Sequence, residues 1–150
     1  MDSGKRLAML VLAVAATGCS FKLPAGYVKV DAQRDYKLRG VSAEGSVFAL
    51  RVENNPDNGE LAFWDKALQR QLVELRGYEL VQRSDVTSDR GRAGVELLLG
   101  YERDGVAYTY LTTFFVKGKQ LYVFESAGVK DQVADDLPEI RKTIAGWSGL

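Results

Sequence analysis

The sequence predicts an α+β domain built on an antiparallel β-sheet of about six to seven strands, with helices flanking the sheet. Two observations carry this prediction. Segments in which apolar and polar residues alternate are separated by Gly, Asn and Asp, a pattern typical of strands joined by tight turns. Two other stretches have apolar residues three and four positions apart, which is typical of amphipathic helices.

The N-terminal segment has the order of a secretory signal. Lys5 and Arg6 precede an apolar run at residues 7–16, which is too short to span a bilayer. The small residues 16–18 then precede Cys19, the single cysteine of the chain. This arrangement resembles the lipobox of bacterial lipoproteins, in which the cysteine is acylated and becomes the first mature residue. The alternatives are an ordinary cleaved signal with an incidental cysteine, and an N-terminal anchor that is never cleaved.

The lipoprotein resemblance implies a division of the chain and a location. Residues 1–18 are the signal peptide, residues 19–26 are the lipidated cysteine and a short tether, and residues 27–150 are one domain. With Ser20 rather than aspartate after Cys19, the resemblance implies transport to the outer membrane, with the domain facing the periplasm. Fully extended, the tether of about seven residues reaches roughly 25 Å, so the domain stays close to its membrane.

The first half of the domain predicts a short strand, a hairpin and a helix. Residues 27–30 form a short strand, and residues 36–39 and 46–53 alternate around a turn at residues 42–45. A polar loop at residues 54–59 follows. From residue 61 to residue 75 apolar side chains recur at helical spacing, and they are Leu61, Trp64, Leu68, Leu72 and Leu75. Asp57 and Glu60 precede this helix as a variant capping box. We expect Trp64 in the core.

The second half predicts a strand, a three-stranded meander and a closing helix. A strand begins at residue 78, and residues 95–102, 106–116 and 120–126 form the meander. Both faces of the long middle strand carry large apolar residues, so both faces of the sheet should be covered. The tail has helical spacing, and Pro138 predicts that the main helix begins at about Leu137, behind a cap at Asp135 or Asp136.

Composition excludes several function classes. The chain has 20 basic and 20 acidic residues, and removal of residues 1–18 takes Asp2, Lys5 and Arg6, which leaves 18 and 19. This balance argues against nucleic-acid binding, which needs a basic surface. With no histidine and one cysteine, a Ser-His-Asp triad, a Cys-His pair and a His- or Cys-based zinc site are excluded. Pro56 breaks the ligand spacing of a calcium loop, so we predict neither metal nor cofactor.

Two sets of residues could carry chemistry or recognition. Glu96, Glu102 and Glu125 lie on or beside the meander and could form a carboxylate pair, although charged strand residues are more often solvated or paired with Arg and Lys. The turn at residues 84–94 contains Asp89, Arg90 and Arg92, which could dock a partner because arginine is enriched at protein interfaces. The alternative is that these arginines are merely solvated.

The order of the elements resembles the PsbP, DcrB and Mog1-like superfamily. The resemblance spans residues 21–147 and includes the closing stretch Phe124-Glu125-Ser126-Ala127-Gly128, then Leu137-Pro138-Glu139-Ile140 and a terminal aromatic, Trp147. It implies a sheet sandwiched by helices and a role as an extrinsic subunit, assembly helper or small-protein binder. It implies no catalytic residue.

The sequence therefore favours a non-enzymatic lipoprotein that reaches the membrane through lipid on Cys19 and binds another envelope protein as an accessory or assembly factor. Two alternatives remain open: a carrier or sensor of a small apolar ligand, and a carboxylate-based hydrolase of envelope polymers.

Overall fold

One seven-stranded antiparallel sheet forms the centre of the protein, in the order β1-β2-β3-β7-β6-β5-β4. The computed structural model describes residues 22–33 and 35–150, so the predicted signal segment and Cys19 lie outside the described residues. The strands are β1 Tyr27–Lys29, β2 Leu38–Ser42, β3 Val47–Asn54, β4 Glu79–Thr87, β5 Ala93–Arg103, β6 Val106–Lys117 and β7 Gln120–Val129. The predicted α+β class and the meander β5-β6-β7 are confirmed.

A long-range strand pair joins the two halves of the chain. β3 pairs with β7 over eight residues, in a register that sets Leu50 opposite Phe124 and Arg51 opposite Val123. Hairpins then extend the sheet to β1 on one side and to β4 on the other. The predicted turns lie between the observed strands. Gly45, Gly105 and Gly118 lie in these turns and have positive φ angles, which glycine adopts without a steric penalty.

Both sheet faces carry an apolar core, as the alternation on β6 predicts. Leu111 and Phe115 point to one face of β6, and Phe114 points to the other. The first face packs against the C-terminal helix, and its fully buried large side chains are Leu38, Phe48, Leu50, Leu111, Phe115, Phe124 and Ile140. The second face packs against the first helix, and its buried side chains are Leu72, Val95, Leu97, Leu99, Phe114, Leu121 and Val123.

The first helix, α1, spans Leu61–Gln69 and continues as a π-helical segment, Arg70–Leu75. Its end agrees with the prediction, but the capping box does not form, since Glu60 is the N-cap and makes no side-chain cap hydrogen bond. The buried Asn55 orders this corner instead. Its Oδ1 accepts hydrogen bonds from the Gly59 N–H at 2.8 Å and from the Trp64 indole at 3.2 Å. Trp64 is half-buried against the second core.

The C-terminal helix, α2, spans Lys130–Ala145, so the prediction that it begins near Leu137 is wrong. Pro138 lies inside the helix, on its exposed side. The proline N cannot bond the carbonyl of Ala134, but Ala134 is itself exposed, so water can satisfy that carbonyl. Neither helix is long and apolar enough to cross a membrane in the part of the chain that the structure describes.

Candidate functional site

The three glutamates considered as a carboxylate pair do not meet. Glu96 points to the α2 face, where the Arg141 guanidinium donates to it at 2.6 and 3.1 Å. Glu125 points to the opposite face and is held by Arg51. Glu102 lies exposed at the end of β5, about 20 Å along the strand from Glu96 at the usual rise per residue. Two carboxylates on opposite faces of a sheet cannot share a substrate, so Glu96 and Glu125 do not form the carboxylate pair that the hydrolase alternative requires.

The charged turn is placed beside the end of α2. Asp89 donates its backbone N–H to the carbonyl of Ala145 at 2.9 Å, and the Arg92 guanidinium donates to the carbonyl of Val116 at 3.2 Å. Asp89 and Arg90 are exposed, whereas Arg92 is half-buried. The turn is therefore tied to two elements by its backbone and by Arg92, while Arg90 is free to reach solvent.

A groove lies between α1 and the β3 side of the sheet. It comprises a cavity of about 550 Å³ and an adjoining depression of about 250 Å³. The two share four lining residues, which are Tyr36, Arg76, Tyr110 and Glu125. The groove exists because α1 covers the β5 side of this face and leaves the β1, β2 and β3 side open. Its walls come from residues 35–37, from α1 and from the chain that follows the π-helical segment.

The floor of the groove holds a charge network. Arg51 donates from Nε and Nη2 to the two carboxylate oxygens of Glu125, at 2.9 and 3.0 Å. The Tyr110 hydroxyl donates to the same Glu125 carboxylate, and Arg51 also bonds Glu53. The side chains of Arg51 and Glu125 are only 27% and 14% exposed. Loss of either partner would destabilise the folded protein, because it would leave an uncompensated charge in this partly buried position.

The environment of the groove floor shifts the ionisation of Tyr110. Burial raises the pKa of the Tyr110 hydroxyl well above its usual value, and the negative charge of Glu125 and the hydrogen bond to it raise it further. On the other sheet face, burial and the hydrogen bond to Asp136 raise the pKa of Tyr27 to about 12. Both tyrosines therefore stay protonated in the folded protein over the pH range in which an unfolded tyrosine ionises.

This difference predicts an alkaline loss of stability. Above about pH 10 the unfolded chain releases protons that the folded tyrosines keep, so the free energy of unfolding should fall as pH rises. Tyr110→Phe should make this fall shallower, because its hydroxyl no longer contributes. Urea unfolding from about pH 9 to about pH 11 measures the slope, with Tyr108→Phe as the matched control on the same strand face. Equal slopes in wild type and Tyr110→Phe would contradict the assigned environment.

Sequence reasoning missed Arg51 and Tyr110 as site residues and considered Glu125 only as a catalytic carboxylate. The sequence did contain a signal for Arg51. Phe48, Leu50 and Val52 define one face of β3, so Arg51 lies on the other face, and that face is also covered if helices pack on both sides of the sheet. The partner of Arg51 could not be found in this way, since Glu125 lies 74 residues further along the chain.

No acidic or metal-ligating cluster is found within residues 22–33 and 35–150 that could hold a metal ion. No protein-family model matches the sequence, and no curated protein sequence matches it.

Solved structures share the fold at low sequence identity. The cyanobacterial PsbP protein CyanoP of Synechocystis sp. PCC 6803 aligns with a TM-score of 0.62 at 13% identity, over 83% of this chain and 82% of that one. LpqN of Mycobacterium tuberculosis, a protein involved in cell envelope biogenesis, aligns with a TM-score of 0.56 at 16% identity, over 81% and 78%. PA94 of Pseudomonas aeruginosa, a protein of unknown function, aligns with a TM-score of 0.57 at 15% identity, over 84% and 83%. The protein thus has a PsbP-like fold.

Proposed function

We propose that this protein is a lipid-anchored accessory or assembly factor of the bacterial cell envelope that binds another envelope protein without catalysing a reaction. The observation that carries the proposal is the open groove beside α1, on whose floor Arg51, Glu53 and Glu125 are paired with one another. The central carboxylate of the groove is thus engaged by protein groups, and the surface around it offers shape and hydrogen-bonding groups, which suits recognition better than catalysis.

The anchor is the acylated Cys19, as the lipobox resemblance implies, with the domain facing the periplasm from the outer membrane. The position of Leu23 and Pro24, near the start of the described residues, supports a close attachment. Leu23 packs against the core, and Pro24 is buried. Only residues 20–22 separate Leu23 from Cys19, a reach of at most about 14 Å. LpqN, which shares the fold, is itself involved in cell envelope biogenesis.

A carrier of a small apolar ligand is less well supported. The groove has charged and hydroxyl-bearing side chains beside its apolar ones, and it is open to solvent. Apolar ligands are usually enclosed by apolar walls, which bury most of their surface. A protein partner, in contrast, tolerates a polar and wet interface.

The turn with Asp89, Arg90 and Arg92 is a second surface for the same partner. It lies next to the C-terminal end of α2 and not in the groove, since its contacts are with Ala145 and Val116. We therefore propose the groove as the main binding site and keep this turn as a separate surface that can be varied independently.

Replacement of Cys19 by alanine should release the protein from membranes, because the lipid is its proposed attachment. Cell fractionation of wild type and Cys19→Ser or Cys19→Ala, followed by immunoblotting, measures the distribution. Wild type should sediment with the outer membrane, and both variants should be absent from the membrane pellet. Continued association of both variants with membranes at wild-type level would contradict the lipid attachment and favour the alternative that the apolar run at residues 7–16 is an uncleaved anchor.

Cross-linking in living cells, followed by mass spectrometry, tests the binding role. Wild type should give one enriched envelope protein as a discrete adduct. Ala127→Glu, which places a longer and negatively charged side chain on the groove floor, should reduce that adduct by tenfold or more, corresponding to about 1.4 kcal/mol of binding free energy. Lys142→Glu on α2 is the control and should leave it unchanged. No enriched protein in wild-type cells would contradict the proposed function.

A further inference from the structure

Two arginines at one end of the groove have no acidic partner among the described residues. Arg39 on β2 and Arg76 after the π-helical segment line the same depression of about 250 Å³. Within the described part of the chain, neither of them makes an ion pair. The carboxylate next to them is Glu125, but both of its oxygens are taken up by Arg51, and one of them also by Tyr110.

An apolar strip lies beside these arginines. Ala127, Val47 and Val41 are side by side in register across β7, β3 and β2, and each is half-buried. The neighbouring row sets Glu125, Ala49 and Arg39 side by side in the same way. Because alanine occupies the middle of that row, no bulky side chain fills the space between Arg39 and Glu125. The strip and the arginines together form one open surface.

The charge of the groove favours a ligand with one negative charge. Its described lining includes four basic and three acidic side chains, which leaves a net charge of one positive unit. The basic residues are Lys37, Arg39, Arg51 and Arg76, and the acidic ones are Asp35, Glu53 and Glu125. A polyanion would be repelled by the three carboxylates. A single carboxylate between two guanidinium groups would form the charge-assisted hydrogen bonds that arginine makes best. The site is recessed between Gln33, Tyr36 and Arg76, so a flat bilayer surface does not reach its floor.

We propose that this groove binds an extended segment of the partner protein, with one Asp or Glu carboxylate held between Arg39 and Arg76 and an adjacent apolar side chain on the strip of Val41, Val47 and Ala127. This inference rests on the proposed function and specifies the chemistry of the partner. The carboxylate provides specificity through its position, and the apolar contact provides buried area, as is common where charged groups surround an apolar anchor.

A random nonapeptide display library, panned on the full-length protein in detergent, tests this chemistry. Enriched peptides should share an acidic residue next to an apolar one. The best peptide, made synthetically with a fluorophore, should bind at least tenfold more weakly to Arg39→Glu and to Arg76→Glu in fluorescence anisotropy. Lys142→Glu makes the same charge change on α2 and should bind as wild type. Replacing the acidic residue of the peptide by its amide should also weaken binding tenfold. Thermal unfolding shows that each variant is folded.

Several results would overturn the inference. They are enrichment of basic or neutral peptides, no enrichment at all, and peptide binding that both arginine variants retain. Saturable binding of inorganic phosphate that excludes the peptide, or Arg39-dependent sedimentation with phosphatidylglycerol vesicles, would assign the arginines to another anion. The proposed function fails separately, when no partner is cross-linked in cells. A cross-linked partner whose adduct persists in Arg39→Glu and Arg76→Glu keeps the function and removes this inference.

Discussion

Replacement of Phe124 by alanine should lower the free energy of unfolding by about 3–5 kcal/mol, the cost of deleting a fully buried aromatic side chain. Phe124 is completely buried on β7, the strand that joins β3 to β6. Its ring lies 6.4 Å from that of Phe48, 6.2 Å from that of Phe115 and 5.4 Å from that of Trp147. Its removal leaves a cavity under α2 with aromatic walls that cannot collapse without shifting the helix.

Urea unfolding of the variant measures this loss. Phe63→Ala is the matched control, because Phe63 is 58% exposed on α1 and should cost less than about 1 kcal/mol. A loss for Phe124→Ala that is no larger than the loss for Phe63→Ala would contradict the packing of α2 on the sheet.

Replacement of Arg51 by methionine should destabilise the protein by about 2–4 kcal/mol, because the Glu125 carboxylate would lose its partner on the groove floor. We place the cost below that of a fully buried pair, since water reaches part of Arg51. The double variant Arg51→Met/Glu125→Leu should recover at least half of the loss, as it removes both charges and leaves an apolar contact.

A double-mutant cycle by urea unfolding measures the coupling. Arg70 and Glu74 provide a control pair on the surface of the helical segment, with side chains 73% and 66% exposed. Arg70→Ala should therefore change the free energy of unfolding by less than about 0.5 kcal/mol. A double variant as unstable as the single Arg51→Met would show that the network stabilises through more than its charges, and a neutral Arg51→Met would show that no such network forms.

The local pattern of the sequence was sufficient for most of the fold. Alternation over residues 46–53 predicts a strand with one apolar face, and residues 106–116 predict a strand with apolar side chains on both faces. Both segments are strands, and both faces of the second are packed against a core. The spacing from Leu61 to Leu75 predicts the helical region correctly. These predictions succeed because side-chain periodicity reports directly on burial at one face.

Other features depend on contacts that local patterns do not encode. Pro138 predicts that the helix begins at about Leu137, but α2 begins at Lys130, since burial of Val133 and Ile140 outweighs one missing backbone hydrogen bond. The groove depends on the register between β3 and β7, which sets Arg51 near Glu125. The pairing of strands far apart in sequence is fixed by the whole sheet, so composition and spacing could not predict it.

The most direct test of the binding role is photo-cross-linking from single positions in living cells. A photoreactive amino acid is introduced in turn at Gln71 on the wall of the groove, at Arg90 in the charged turn and at Lys142 on α2. If the groove is the main binding surface, Gln71 gives a discrete adduct with one envelope protein and Lys142 gives none. Adducts from Arg90 or Lys142 without one from Gln71 would contradict it.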